Sequence, residues 1–324
     1  MKHLVAFFLA ALVASGGAIA QTSAADWPTR TLRMIVPFPA GSSPDLIGRL
    51  LADKLGGSLG QTMIVENRPG AGGNLGTGLA AKAPPDGYTI CLTIGGPLAV
   101  NTVLYTKLGY DPFKDLAPIS LVASSPNVLV VDPKLGIGSV KEFVALAKSQ
   151  PGKLNYGSVG NGTASHLTME LLKTLAGVDI VHVPYPGSPQ VIAAIASGQI
   201  AAGFVVPATA MPLVRGGRIK AIAVTSASRS SLLPDIPTVA ESGYPRFQAI
   251  AWQGIVAPAG TPRPIVNRLS TELARIIKSE EVRNRIASFY FQAIGGTPEE
   301  LAGLMREEVE RWGAIIRRTG AKAD

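Results

Sequence analysis

Leu32-Arg33-Met34-Ile35-Val36-Pro37-Phe38-Pro39-Ala40-Gly41-Ser42-Ser43-Pro44-Asp45, running on into Leu46-Ile47-Gly48-Arg49-Leu50-Leu51-Ala52-Asp53-Lys54-Leu55, decides the reading of the fold. Leu32 to Val36 is an apolar run of strand length, interrupted only by Arg33. At Pro37 it gives way to a turn rich in Pro, Gly and Ser. A helical pattern then begins, with Ile47, Leu50, Leu51, Leu55 and Leu59 along one face. The change of period marks a strand–turn–helix unit whose turn ends at a helix N-terminus. Ser43 is expected to cap the free amides there. Pro44 falls where a missing N–H costs nothing, and Asp45 offsets the positive end of the helix dipole.

The same alternation continues along the chain, the pattern of βαβ units around largely parallel sheets. Further strands are expected at Met63 to Glu66, Tyr88 to Ile94, Ile119 to Ala123, Asn127 to Val131, Leu154 to Gly157, Ile180 to Val183, Ile200 to Val206, Ile219 to Val224 and Gly254 to Ala257. Helices are expected at Leu75 to Lys82, Val140 to Ser149, Thr163 to Ala176, Pro189 to Ser197, Ile265 to Lys278 and Pro298 to Arg318. A length of 324 residues exceeds the range in which one core keeps growing, so two lobes are expected. Ala123 to Pro126 and the stretch around Thr225 to Ser228 are the candidate crossings between them.

Apolar residues make up 47% of the chain and charged ones 16%, while the glycines and prolines fall between apolar runs, which describes a globular protein with many turns. The first residues read as a secretory leader: Lys2 supplies positive charge, Leu4 to Val13 form an apolar stretch, and Ala18-Ile19-Ala20 is a cleavage site. Residues 1–20 are therefore expected to be removed on export. The formal charge of +8 suits an anionic ligand. Nucleic acid is disfavoured, because the basic residues are scattered and aromatics, at 6%, leave few stacking platforms. Cys91 lies inside the apolar run Tyr88 to Ile94 and reads as a small buried hydrophobe.

Three Gly-rich turns precede helices: Phe38 to Asp45, Asn67-Arg68-Pro69-Gly70-Ala71-Gly72-Gly73-Asn74, and Gly157-Ser158-Val159-Gly160-Asn161-Gly162-Thr163-Ala164-Ser165-His166. Backbone amides at a helix start are unpaired and carry the positive dipole end, so a bare glycine backbone there can hold a carboxylate or phosphate. One such loop is more simply a turn. Three in a basic exported chain favour anion binding.

Enzymatic templates fit poorly. Tyr156 stands where a G-x-S-x-G elbow around Ser158 needs its first glycine, none of the loops delivers the Gly-Lys-Ser/Thr of a phosphate-binding loop, and Gly76, Gly78 and Ala81 lack a preceding strand. Beyond His3, only His166 and His182 are present, without Cys or carboxylates at metal-ligand spacing, so neither metal nor cofactor is expected. His166 opens its helix, where it reads equally as a donor to a bound anion or as an ordinary histidine. Glu299-Glu300 and Glu307-Glu308, near Arg306 and Arg311, read as solvated ion pairing.

At these residues the sequence resembles the extracytoplasmic receptors of tripartite tricarboxylate transporters, the Bug-type solute-binding proteins, over nearly all of the mature chain. The resemblance is carried by Val36-Pro37-Phe38-Pro39-Ala40-Gly41 with Asp45, Glu66-Asn67-Arg68-Pro69-Gly70-Ala71-Gly72-Gly73, Pro85-Asp86-Gly87-Tyr88, and Asn155-Tyr156-Gly157-Ser158 leading to His166. Val183-Pro184-Tyr185, Ala223-Val224-Thr225, Pro237 to Tyr244 and Ala257-Pro258-Ala259-Gly260-Thr261-Pro262 continue it.

The resemblance implies an α/β fold of two Rossmann-like lobes, of the type II periplasmic-binding-protein kind, joined by two crossing strands around a ligand cleft. Residues 27–122 with 226–324 would form lobe 1, and 123–225 lobe 2. It implies a monomeric periplasmic receptor, not an enzyme, that hands a small organic carboxylate to membrane permease subunits. An enzyme on the same lobes using Ser42 or Ser158, or a ligand sensor for another transporter or a kinase, are the alternatives. Carried over by position, the ligand residues are Phe38, Pro39, Ala40, Gly41, Ser42 and Asp45, then Gly72, then Ser158, Val159, Gly160, Asn161, Thr163 and His166, with Val205. Two departures bear on the ligand. Ser42 stands where the family usually has a second glycine, adding a hydroxyl and bulk to the loop, and Val205-Val206 stand where it often has Asp-Asn, a change that points away from amino acids and toward a carboxylate with an apolar body.

Overall fold

The computed structural model describes residues 27–319, so the expected leader lies outside the described residues. In chain order the elements are β1 (Leu32–Val36), α1 (Ser43–Leu59), β2 (Met63–Asn67), α2 (Asn74–Ala81), β3 (Thr89–Ile94), α3 (Asn101–Leu104), β4 (Leu116–Pro126), β5 (Val128–Val131), α4 (Val140–Ser149), β6 (Asn155–Ser158), α5 (Ala164–Ala176), β7 (Val181–Pro184), α6 (Ser188–Ser197), β8 (Ala202–Val205), α7 (Pro207–Arg215) and β9 (Lys220–Val224). There follow β10 (Ile250–Pro258), α8 (Arg263–Lys278), α9 (Glu280–Ser288), β11 (Gln292–Ala293) and α10 (Pro298–Thr319). A π-helical turn, Gly96–Val100, leads into α3.

Two sheets result, ordered β11-β4-β10-β3-β1-β2 and β7-β6-β8-β5-β9. The sheets are more mixed than the alternation predicts. In each, the strand that follows a crossing runs against its neighbours: β10 is antiparallel to β3 and β4, and β5 to β8 and β9. The cause is geometric. β1 and β3 run in parallel and carry their chain toward one edge of the first sheet, as β6 and β8 do in the second. A strand arriving from the other lobe enters at that edge and must run the opposite way. The carboxyl ends of the parallel strands in the two lobes therefore face each other, where ligands bind in open α/β sheets.

The first crossing joins β4 to β5 at Pro126–Asn127, close to its expected place. The second is displaced. After β9 the chain stays bound to the second sheet: Thr238 bridges Val224, Val239 N–H donates to Val224, and Ala249 N–H donates to Thr225 O at 2.9 Å. The change of sheet comes at Ile250, the start of β10, and not at Thr225 to Ser228. A Pro/Gly/Ser-rich loop that loops back to its own sheet has the same composition as a linker.

The helices bury the faces that their spacing marks. Ile47, Leu51, Leu55 and Leu59 of α1, with Ile265, Leu269, Leu273 and Ile276 of α8, pack on one side of the first sheet. Burying each such side chain is worth about 1.5–3 kcal/mol. Cys91 is wholly buried in β3, and burial pushes its thiol up to about 12. The π-helical turn, α3, α7, α9 and β11 have no counterpart among the expected elements. The π-helical turn opens on Gly96-Pro97 and runs into the four-residue α3, α7 contains Pro212, α9 is mostly polar, and β11 has two residues, so each lacks a periodic apolar signal.

Candidate ligand-binding site

Between the facing strand ends lies a cavity of about 60 Å³. The first lobe lines it with Phe38, Ser42, Ser43 and Pro44, with Ile94 at the end of β3, and with Gly95, Gly96 and Val100 beyond it. The second contributes Val159, Gly162, Ala164, Ser165 and Leu167, together with Ser188, Val205 and Val206. Asn127 and the start of β10, from Ile250 to Gln253, close it at the crossings, and Phe291, Glu308 and Trp312 complete the wall. The lobes touch across it through glycine. A Cβ built on Gly96 would meet the Gly162 carbonyl oxygen at 2.8 Å, and one on Gly72 the Asn161 carbonyl oxygen at 2.6 Å.

The first loop is organised by Asp45. Its carboxylate accepts from Gly41 N–H, from Asn67 Nδ2 and from Arg49, each at 2.9 Å, and Asn67 Nδ2 also donates to Phe38 O. Burial alone would raise this carboxyl, but the bonds from Arg49, Gly41 and Asn67 outweigh it and hold it below the ordinary carboxylate value. Asp45 is thus a clamp on the loop and does not line the cavity. The N-cap position belongs to Ser42 rather than Ser43, which lies in the first turn. Ser42 Oγ turns back to donate to Pro39 O at 2.6 Å and caps no amide.

The third loop is built in the same way. Thr163 is the N-cap of α5, yet its hydroxyl donates to Gly160 O at 2.7 Å and caps no amide either. Ser165 Oγ accepts from Val159 N–H at 2.9 Å. Ser158 is wholly buried, with its hydroxyl 2.6 Å from His182 Nε2 and accepting from Gly160 N–H at 3.1 Å. His166 Nδ1 accepts from Gly162 N–H, and its ring stacks on His182 with centroids 4.2 Å apart. Burial, assisted by Lys173, pushes His166 down to about 4; burial and then the adjoining His166 push His182 down to about 3. Both rings are therefore neutral at pH 7, and His166 offers no cation to an anion.

Of the residues carried over from the resemblance, Phe38, Ser42, Val159 and Val205 line the cavity. Gly72, Gly160 and Asn161 form the contact between lobes, and Pro39 packs near Gly187. Ala40 and Gly41 are exposed, while Ser158, Thr163 and His166 hold the third loop from beneath. Asn127, Gln253 and Glu308 were not anticipated. Glu308 corrects the reading of Glu307-Glu308 as solvated: it is 7% exposed, and Oε2 accepts from Trp312 at 2.9 Å and from Trp252 at 3.3 Å. Helical spacing from Glu308 to Trp312 was the available signal, masked by the Arg311 partner 3.5 Å away.

Two α/β lobes, crossed twice by the chain and closing on a cavity with helix N-termini at its rim, define a solute-binding protein of the periplasmic-binding-protein kind. Residues 47–321 match the model of the tripartite tricarboxylate transporter family receptors, and the chain belongs to that family. It is 37% identical over 311 residues to Protein BugT of Bordetella pertussis, covering 96% of this chain and 95% of that one. The structure is similar to that of R. palustris Rpa4515 with adipate (TM-score 0.89, 35% identity, 92% of this chain and 99% of that chain). It is also similar to MatC (Rpa3494) from Rhodopseudomonas palustris with bound malate (TM-score 0.85, 33% identity, 90% and 100%).

Proposed function

We propose that the protein captures a small organic carboxylate in this cavity, in the periplasm, and presents it to the membrane permease subunits of a tripartite transporter. The observation that carries this reading is the pair of uncapped helix starts. Ser139 and Ser279, at α4 and α9, cap amides in the ordinary way. At α1 and α5, whose first residues Ser43 and Ala164 line the cavity, the cap hydroxyls bond to their own loops instead. The first-turn amides of both helices are thereby left to an anion, in the field of two dipoles. Adipate and malate in the relatives support a carboxylate, and the expected leader supports export.

The Ser158–His182 contact is the one observation that favours an enzyme, since a serine nucleophile needs such a base. Binding remains the better reading. Ser158 is wholly buried and does not line the cavity, and His182, with its pKa near 3, is a weak base. Incubation with carboxylate esters, followed by chromatography, should return them unchanged.

The substitution Ala164→Asp tests the anion site directly. It places a carboxylate in the first turn of α5, where the dipole favours it and it competes with the ligand. Calorimetry with carboxylates should show binding by the native protein and none by A164D, at an unchanged or raised apo melting temperature. Equal affinity in both would overturn the reading.

A further inference from the structure

Among the described residues, three buried polar atoms on cavity-lining side chains have no hydrogen-bond partner: Gln253 Oε1, Gln253 Nε2 and Asn127 Nδ2. Gln253 is 1% exposed and Asn127 2%. Native interiors rarely leave an amide in this state, because it has lost its water and gained nothing in return. The Asn127 backbone is engaged on both sides, its N–H donating to the Thr225 hydroxyl at 2.8 Å and its carbonyl accepting from Thr225 N–H at 3.0 Å, so the unpartnered atom is the side-chain Nδ2.

The backbone around Gln253 is also irregular. Gln253 pairs with Ala123 and Gly254 with Leu121, so the register slips at this point and Val122 of β4 is unmatched. Such bulges re-aim side chains next to binding sites. On β10, Ile255 and Ala257 pack in the core beneath α1 and α8, while Trp252 and Val256 pack in the core on the other side. Gln253 alternates with Trp252, so it projects from the same face as Ile255, at the strand end that meets the cavity.

We infer that Gln253, with Asn127, reads a neutral hydroxyl or carboxamide at the end of the ligand remote from its carboxylate. This rests on the carboxylate-binding reading above and narrows its substrate class. The glutamine amide presents an acceptor and a donor, and Asn127 Nδ2 presents a second donor. A hydroxyl or a carboxamide supplies the complementary roles. A second carboxylate has no proton for Gln253 Oε1 and leaves that atom unpaired, and an alkyl end leaves all three unpaired.

The test compares matched ligand pairs: benzoate with 4-hydroxybenzoate, and hexanoate with 6-hydroxyhexanoate, with adipate as the dianion. Calorimetry is run on the native protein and on Gln253→Met, which keeps the length of the side chain and removes its hydrogen bonds. The native protein should prefer the hydroxylated member of at least one pair by about tenfold and should bind adipate more weakly than 6-hydroxyhexanoate. In Q253M the preference should fall to near unity. The apo melting temperature of Q253M should be unchanged or higher, since an unpaired buried amide is gone, and this separates loss of recognition from loss of folding. Native binding of carboxylates without a hydroxyl preference, or the same preference in Q253M, overturns the inference alone. Failure of every carboxylate to bind the native protein overturns the proposed function instead, and this inference with it.

Discussion

Gly160 of the second lobe lies so close to Gly72 of the first that a Cβ built on Gly160 would fall 2.6 Å from the Gly72 Cα. Contacts of this kind hold the lobes shut without side chains between them. Both residues have positive φ, so substituting either also strains its own loop. Gly96 is the cleaner site, because its φ is ordinary and its missing Cβ is needed only for the approach to Gly162 O. Gly96→Ala should leave apo stability nearly unchanged, weaken ligand affinity by about tenfold or more, and abolish the ligand-dependent fall in radius of gyration. Small-angle scattering showing full contraction in G96A would remove closure at this contact from the account.

Thr225 ties the two crossings together. Its hydroxyl accepts from Asn127 N–H and donates to Ala249 O, the residues on either side of the change of sheet. Thr225→Val preserves the shape and strands both groups in a buried position, at about 1–3 kcal/mol for each group left without a partner. Thermal unfolding should show a loss of several degrees, with Thr225→Ser close to native. If T225V melted like the native protein, the shared hydroxyl would not be holding the hinge.

The stacked rings of Tyr156, His182 and His166, with Glu170 and Lys173 facing them, predict a pH dependence. Both histidines have folded pKa values below the ordinary 6.5, so as pH falls the unfolded chain takes up these protons first. Their contribution is complete above about pH 6.5 and is lost as pH falls toward 4 and 3, by at most about 1.4 kcal/mol per unit for each ring. Asp45, also depressed, adds its loss only near the carboxylate range, below about pH 4. Melting temperatures between pH 7 and 4.5 should therefore fall in the native protein and fall less in His182→Gln. An equal slope in both would assign the decline to other groups.

How much of this was legible in the sequence depends on the kind of signal. The βα unit from Leu32 to Leu59 was plain, because Ile47, Leu51 and Leu55 keep a helical period that nothing nearby disturbs. The loops that run into α1 and α5 were legible as glycine before a helix. The roles of Ser158 and His166 were not, since only the fold shows that His182, a neighbour by strand pairing, and Gly162 N–H already occupy them. Gln253 did leave a trace: it is the one amide in the run Ile250 to Ala257, where a polar side chain must find a partner in the core or in a ligand.

Val205 and Val206 line the cavity, at the positions where the family resemblance leads one to expect Asp-Asn, and among the described residues no aspartate lines the wall there for an ammonium group. Among the described residues, Glu308 is the one carboxylate on the cavity wall. It is already engaged, with two indole N–H groups on Oε2 and Arg311 3.5 Å from Oε1. An amino-acid ligand would bury its ammonium without a counter-charge, which costs several kcal/mol. The apolar surface of Phe38, Leu167 and Trp252 favours instead a carboxylate with an apolar body. In a thermal-shift series, 3-phenylpropionate at a hundred times its dissociation constant should stabilise the protein by about 2.7 kcal/mol, a rise of a few degrees. Phenylalanine, differing by its ammonium group, should give no rise at the same concentration. A rise with phenylalanine that disappears in Glu308→Gln would make Glu308 the ammonium partner and end the argument from the valines, while leaving the proposed anion site at α1 and α5 in place.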